Sequence, residues 1–329
     1  MKALVQDTYG SADVLHVEDV DVADVGPGDV LVRVRAAGVD AGVWHLMAGW
    51  PYLVRILGFG LRAPKVRTRG LEVAGVVEMV GAQVTQLRPG DRVFGTCEGS
   101  FAEYAIARRS TLARMPAGTT FEQAAAVPVS GMTALHALRD AGKVAAGQRV
   151  LVIGAAGGVG AFAVQLAKVF GAEVTGVCST TKIDIVRTLG ADDVIDYTRE
   201  ELTTRGHRYD LVLDTAGNRP LSLLRTLLTP RGTLVIVGGE RGGRWLGGIH
   251  RSLGASMLSP FVTQTLRGLI STMRADDLNL LAELLASGQI TPLIDRTYPL
   301  DQAADAVRYQ HEGHARGKVI LTVPDPDAL

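Results

Sequence analysis

The stretch from Arg149 to Lys182, RVLVIGAAGGVGAFAVQLAKVFGAEVTGVCSTTK, constrains this chain more than any other. Arg149 to Ile153 is a short apolar run rich in β-branched residues, the pattern of a strand buried on both faces. Gly154, Gly157, Gly158 and Gly160 follow at once. Ala161 to Phe170 then carries apolar residues at helical spacing, with Gly171 as its stop. Glu173 to Cys178 is a second strand, so the whole reads as a βαβ unit. In that setting the glycines form a dinucleotide-binding fingerprint, spaced G-x-x-G-x-x-G, one residue longer than the usual form. The turn containing Gly154, Ala156, Gly157, Gly158, Val159 and Gly160 is the candidate pyrophosphate cradle. Its glycines permit a tight turn and close backbone approach, at the positive end of a helix dipole.

The end of the second strand bears on which dinucleotide. An NAD site usually carries an Asp or Glu about 20 residues past the glycines, to bind the ribose 2′-hydroxyl. Here Cys178 is followed by Ser179, Thr180, Thr181 and Lys182. Hydroxyl donors and an ammonium, with no carboxylate, suit a 2′-phosphate, so NADPH is expected over NADH. The alternative is a polar turn with a solvated lysine.

At 329 residues the chain is long for one core, and two domains are expected. Lys plus Arg and Asp plus Glu balance at 34 each, which leaves no electrostatic footprint for nucleic acid or an anionic membrane. Cys97 and Cys178 are the two cysteines, too few for a multi-cysteine zinc site. The sequence opens directly on a strand, without the pattern of a signal peptide, and has no uninterrupted apolar run of about 18 residues. A soluble, cytoplasmic protein with no membrane partner is the expectation.

Residues 1 to about 110 read as short strands punctuated by turns: Lys2 to Asp7, Leu15 to Val22, Val30 to Ala37, Val73 to Val80, Arg92 to Gly95 and Phe101 to Ala107. Gly26-Pro27-Gly28-Asp29 and Pro89-Gly90-Asp91 are turn signals, and a mostly antiparallel β-domain or barrel follows. Gly38 to Arg69 fits no single period. Asp40 is placed to cap a short helix over Val43 to Ala48, and Trp44, Trp50, Tyr52 and Phe59 either line a pocket or pin the loop. Phe121 to Ala141 is helical, interrupted by Pro128.

After the fingerprint, strands at Asp193 to Asp196, Asp210 to Asp214 and Gly232 to Val237 alternate with helices at Ile183 to Leu189 and Leu221 to Leu228. That is an α/β, doubly wound parallel sheet. Gly217 and Gly238 stand at strand ends, where such sheets place ligands. Gly239 to Gly254 reads as a Gly- and Arg-rich loop. Helices follow at Asp276 to Ala286 and Pro299 to Glu312, then a last strand, Lys318 to Val323, and a Pro-Asp-Pro ending.

Six segments in this order resemble the medium-chain dehydrogenase/reductase superfamily: GLEVAGVVEMVG from Gly70, PGDRVFG from Pro89, VPVSGMTALHAL from Val127, the fingerprint, LGADDVIDY from Leu189, and RGKVIL from Arg316. The resemblance is to its zinc-free quinone-oxidoreductase-like branch. It implies a GroES-like β-barrel catalytic domain from residues 1–125 with 265–329, a Rossmann NADPH-binding domain from 126–264, and a homodimer. It places Tyr197 at the 2′-phosphate, Thr133 at the nicotinamide phosphate and Lys318 near the cofactor. Tyr52 is implied as the proton donor, and Asp40 stands where relatives carry an Asn against the cofactor. An Asp there accepts but does not donate, unless protonated. Glu72 is either a helper acid or a loop anchor.

Zinc-dependent relatives hold their metal at positions that read here as Asp40, Leu71 beside Glu72, and Pro128-Val129-Ser130. Leucine cannot ligate zinc, so no metal is expected. The implied activity is NADPH-dependent reduction of quinones or α,β-unsaturated carbonyls, on a small-molecule substrate. Reduction of aldehydes or ketones is the alternative, and a non-enzymatic NADPH-binding regulator is an alternative of another class.

Overall fold

The computed structural model describes residues 1–239, 243 and 245–324. Residues 240–242 and 244, within the expected Gly- and Arg-rich loop, and Asp325 onward in the Pro-Asp-Pro ending, lie outside the described residues.

Fifteen strands are described: β1 (Lys2–Val5), β2 (His16–Asp19), β3 (Asp29–Val39), β4 (Glu72–Val80), β5 (Arg92–Thr96), β6 (Tyr104–Arg108), β7 (Leu112–Arg114), β8 (Arg149–Ile153), β9 (Glu173–Cys178), β10 (Asp193–Asp196), β11 (Tyr209–Asp214), β12 (Leu228–Ile236), β13 (Thr265–Gly268), β14 (Ile294–Pro299) and β15 (Lys318–Thr322). The α-helices are α1 (Ala41–Ala48), the single turn α2 (Tyr52–Val54), α3 (Phe121–Ala125), α4 (Pro128–Leu135), α5 (Gly158–Val169), α6 (Ile183–Thr188), α7 (Leu221–Thr226), α8 (Ile249–Leu258), α9 (Ala275–Ala286) and α10 (Ala303–His311). They divide into two compact units, Met1–Met132 with Thr272–Leu329, and Thr133–Ser271.

The first unit is built on β3, an eleven-residue strand that pairs with β4, β6 and β15, all antiparallel. The sheet runs β14-β15-β3-β4-β5-β7, with β1 and β2 as a separate hairpin. Val30, Val32 and Val34 are buried as their alternation requires, and Leu31 is buried as well. Closure depends on the last strand: Val319 to Thr322 of β15 lie opposite Val39 to Ala36 of β3, across some 280 residues of chain. Met47, Phe101 and Leu112 are fully enclosed in this core, each stabilising it by about 2 kcal/mol.

The second unit is one six-stranded parallel sheet, ordered β10-β9-β8-β11-β12-β13. From the first strand in sequence this is 3-2-1-4-5-6, the dinucleotide-binding order. Val150 to Ile153 are buried on both faces, and α5 packs Phe162, Val164 and Leu166 inward. Three of the elements that escaped the sequence reading bear on the architecture. Thr265–Gly268, assigned there to the catalytic domain, pairs in parallel with β12 and is the edge strand of this sheet. Ile294–Pro299 is a strand beside β15, and Ile249–Leu258, inside the expected loop, is a helix.

Candidate active site

In the second unit the predicted glycines converge at the carboxyl ends of β8, β11 and β12. Gly154 follows Ile153 at φ +87°, a left-handed conformation that costs a side-chain-bearing residue dearly. Its N–H and that of Ala155 both donate to the Val177 carbonyl oxygen at 3.1 Å, which ties the turn to β9. A Cβ on Gly160 would overlap the Gly154 carbonyl, so the start of α5 can sit against the end of β8 only as glycine. Gly157 is the N-cap of α5, and no side chain caps the helix, so its first-turn N–H groups are presented as an anion site. Gly217, at φ +65°, donates its N–H to Asp214 Oδ1 at 3.0 Å, and its Cα backs onto Gly238 and Gly239. A Cβ at Gly238 would likewise overlap the Thr215 carbonyl. Ala156 and Val159 lie within this turn, and Thr133 is half-buried on α4.

The end of β9 carries a hydrogen-bonded knot of its own. Thr180 is exposed, and its hydroxyl is engaged: Oγ1 donates to Asp196 Oδ2 at 2.5 Å and sits 2.9 Å from Thr198 Oγ1. Asp196 ends β10 in register with Cys178, and the hydroxyls of Thr180 and Thr198 hold its carboxyl below the usual range. Ser179 and Lys182 flank this knot, half-buried, in a 3₁₀ turn. Tyr197 follows, half-exposed, with the Arg219 guanidinium 5.9 Å from its ring centre. Arg219 was not singled out from sequence; only its place just past Gly217 at a strand end hinted at it. Its carbonyl accepts from Arg251 Nη2, which also pairs with Asp214 at 2.6 Å, so the loop carrying it is braced from α8.

In the first unit, Asp40 is the N-cap of α1. Its Oδ1 accepts from the Gly42 N–H at 2.6 Å and the Val43 N–H at 3.3 Å, while Oδ2 is buried without a partner. Glu72, the first residue of β4, is fully buried. Its Oε1 accepts from the Val129 N–H at 2.8 Å, and its Oε2 is ion-paired with Lys318 at the start of β15. Lys318 is 3% exposed. Its ammonium, expected near the cofactor, pairs with a carboxylate within its own unit. Burial pushes the Glu72 carboxyl up, the Lys318 ammonium opposes this, and Asp40 adds to the rise. Glu72 is thus an anchor joining β4, β15 and the start of α4.

Of the four aromatics on the irregular connection, Phe59 lines a cavity of about 370 Å³ that also touches Leu46, Arg69 and Leu71. Trp44 stacks on His311, 3.5 Å between ring centres, and thereby fastens α1 to α10. Tyr52 is not part of the cavity wall; its ring lies 5.0 Å from the Arg55 guanidinium, which also rests on Tyr9.

Residues 26–117 match the alcohol dehydrogenase GroES-like domain, and residues 189–321 match a domain described as zinc-binding dehydrogenase. A chloroplast envelope quinone oxidoreductase homolog from Arabidopsis thaliana is 31% identical, over 98% of this chain and 98% of its own length. The chain belongs to the medium-chain dehydrogenase/reductase superfamily. Another member, the 2-methylene-furan-3-one reductase of Solanum lycopersicum, is 33% identical over 98% of this chain and 79% of its own. Among solved structures of the superfamily, the Escherichia coli quinone oxidoreductase complexed with NADPH superimposes with a TM-score of 0.82 at 25% identity, covering 98% of this chain and all of the other.

The residues at the positions where zinc-binding relatives hold their metal do not suit zinc. Asp40 has one oxygen committed to a helix cap, Leu71 has no lone pair, and Glu72 is held by Lys318 and Val129. Among the described residues, no group of three or more His, Cys, Asp and Glu is placed to hold a metal. This donor set does not suit a tetrahedral zinc. The dinucleotide cradle, by contrast, suits NADPH: a turn that excludes Cβ atoms, an uncapped helix start, Lys182 just past β9, and Arg219 against Tyr197.

Proposed function

We propose that this chain reduces quinones or α,β-unsaturated carbonyls with NADPH, independently of zinc. The observation that carries the reading is the pairing of Glu72 with Lys318, beside a helix-capping Asp40 and an apolar Leu71. With Asp40 and Glu72 so committed, these residues hold no Lewis acid for the alkoxide charge of a simple ketone. Addition to the β-carbon of an enone or quinone instead delocalises that charge into an enolate, which a few hydrogen bonds support. The names of relatives, a furanone reductase and quinone oxidoreductases, point the same way.

Bound NADPH would supply the hydride, from C4 of its nicotinamide. The first turn of α5, with Gly154, Gly157 and Gly160, would hold the pyrophosphate. Ser179, Lys182, Tyr197 and Arg219 would recognise the 2′-phosphate, and Thr133 the nicotinamide phosphate. Protonation at the α-carbon would come from Tyr52 or from water. A cytoplasmic homodimer remains part of this reading. Among the described residues no helix is long and apolar enough to cross a membrane. Exposed Met257, Phe261 and Ile270 beside edge strand β13 offer a self-association surface, which sedimentation would read as a doubled mass.

The test is NADPH oxidation at 340 nm on metal-analysed protein, with 1,2-naphthoquinone, an enone and a saturated aldehyde in parallel. Turnover of the quinone or enone by zinc-free protein is the expected result, and Tyr52→Phe should then lower kcat. Turnover of the aldehyde alone, or stoichiometric zinc, would overturn it. Tight NADPH binding with no turnover would favour a regulator.

Cofactor choice has its own check. Lys182→Ala is expected to raise the KM for NADPH by about tenfold, because a charge-assisted contact to the 2′-phosphate is lost. NADH, lacking that phosphate, should be used as before; equal losses for both cofactors would remove Lys182 from the site.

A further inference from the structure

Three cations reach into the interior among the described residues, and two are paired: buried Lys318 with Glu72, and half-buried Arg251 with Asp214. The third is Arg69. It is 6% exposed and, among the described residues, has no ion-pair partner; its one side-chain hydrogen bond there, Nε to the Arg67 carbonyl oxygen, is stretched to 3.5 Å. Its backbone is fixed on both sides, with the N–H donating to Leu4 O at 3.1 Å and the carbonyl accepting from Phe101 N at 2.8 Å. The side chain is therefore held in place without being neutralised. A buried, unpaired guanidinium costs stability, and a fold keeps one most readily where something else completes it.

What lies in front of Arg69 is the cavity of about 370 Å³, within the range of small-molecule sites. Leu46, Phe59 and Leu71 give it apolar walls, and its charged lining is Arg69, Lys65 and Glu98. Lys65 and Glu98 are exposed to solvent, so Arg69 is the one charge of the three that sits in low dielectric. Desolvation draws its pKa down to about 10, against the attraction of Tyr9 and Glu98, and it stays cationic at neutral pH. A planar, fixed, cationic fork facing an apolar chamber matches a carboxylate at the end of an apolar body, taken in two parallel hydrogen bonds.

We propose that this cavity binds the body of an anionic substrate, an enone or quinone bearing a carboxylate, with the carboxylate on Arg69. This rests on the reductase reading for the reacting group, but the binding step is independent of turnover. Calorimetric titration of the intact chain with 2-naphthoate and its neutral counterpart 2-naphthylmethanol tests it. The wild type should bind the naphthoate at least about tenfold more tightly. Arg69→Gln should abolish that preference and leave the alcohol's affinity unchanged, Arg69→Lys should retain part of it, and Leu46→Trp should weaken both ligands. Melting curves separate roles: Arg69→Gln without ligand should melt no lower than wild type if the guanidinium serves a ligand, and lower if it serves the fold. Equal affinity for the two probes, no binding of either, or a preference surviving Arg69→Gln would overturn the proposal. NADPH oxidation with 4-phenylbut-3-en-2-one and its para-carboxylate is measured alongside. Silence with both, while naphthoate still binds through Arg69, would sink the reductase reading and leave the anion site standing.

Discussion

Replacing Glu72 by Gln is expected to destabilise the first unit by about 3–5 kcal/mol, the cost of leaving a buried charge unpaired. Glu72 is fully enclosed and Lys318 is 3% exposed, so water cannot take over the lost contact. The damage reaches three elements at once, because the carboxylate links β4 to β15 and also receives the Val129 N–H ahead of α4. A larger or displaced side chain has no room, since Gly38 of β3 backs directly onto Glu72. Lys318→Met should cost a comparable amount, by stranding the carboxylate. The double variant Glu72→Met with Lys318→Met removes both charges and should return to within about 1 kcal/mol of wild type. Urea unfolding followed by tryptophan fluorescence checks this, as Trp44 and Trp50 both report on the first unit. A single-variant loss below about 1 kcal/mol would show that the pair is not held in a low-dielectric interior.

That pair also marks where sequence reasoning runs out. The βαβ unit at Arg149 to Cys178 was legible because all its determinants are local: a run of β-branched residues, glycines at fixed offsets, an apolar stripe at helical spacing. β13 and β14 were missed because each is short and carries charged or polar residues, Arg267 in the first, Asp295 and Arg296 in the second. Both acquire their strand character from a neighbour, β12 and β15 respectively. The site residues divide in the same way. Gly154, Gly160 and Gly217 were readable because each answers a backbone requirement written locally. Lys318 was placed at the cofactor by resemblance, whereas its partner lies 246 residues away along the chain, a distance that no periodicity spans. Thr180 was counted as a phosphate donor on residue type alone. The acceptor that claims it, Asp196, comes from the adjacent strand and is visible only once β9 and β10 are in register. Arg69, in a segment without period, has its burial set by the packing of the Pro64 to Gly70 stretch against Leu4 and Phe101.

The glycine at position 160 should tolerate nothing larger. In Gly160→Ala the new Cβ would overlap the Gly154 carbonyl oxygen and lie 2.8 Å from the Gly154 carbonyl carbon and 2.9 Å from Ala155 Cα. All three are backbone atoms of a turn that the bonds to Val177 hold in place, so no side-chain rotation relieves the clash. The start of α5 must instead move away from β8, which carries the first-turn N–H groups off the position from which they face a pyrophosphate. Overpacking of this kind costs about 1–3 kcal/mol of stability. Displacement of the anion site should weaken NADPH binding by about a hundredfold, near 2.7 kcal/mol. The same substitution elsewhere in the second unit provides the control: at Gly254 in α8, the new methyl meets Leu221 Cδ1 at an ordinary 3.7 Å. Gly254→Ala should therefore stabilise by about 0.5–1 kcal/mol through helix propensity and leave NADPH affinity unchanged. Fluorescence titration with NADPH and urea midpoints on the two variants decide the matter. If Gly160→Ala bound NADPH within about threefold of wild type, the close approach of α5 to β8 would be a packing detail, and the phosphate-binding role would have to lie elsewhere in the turn.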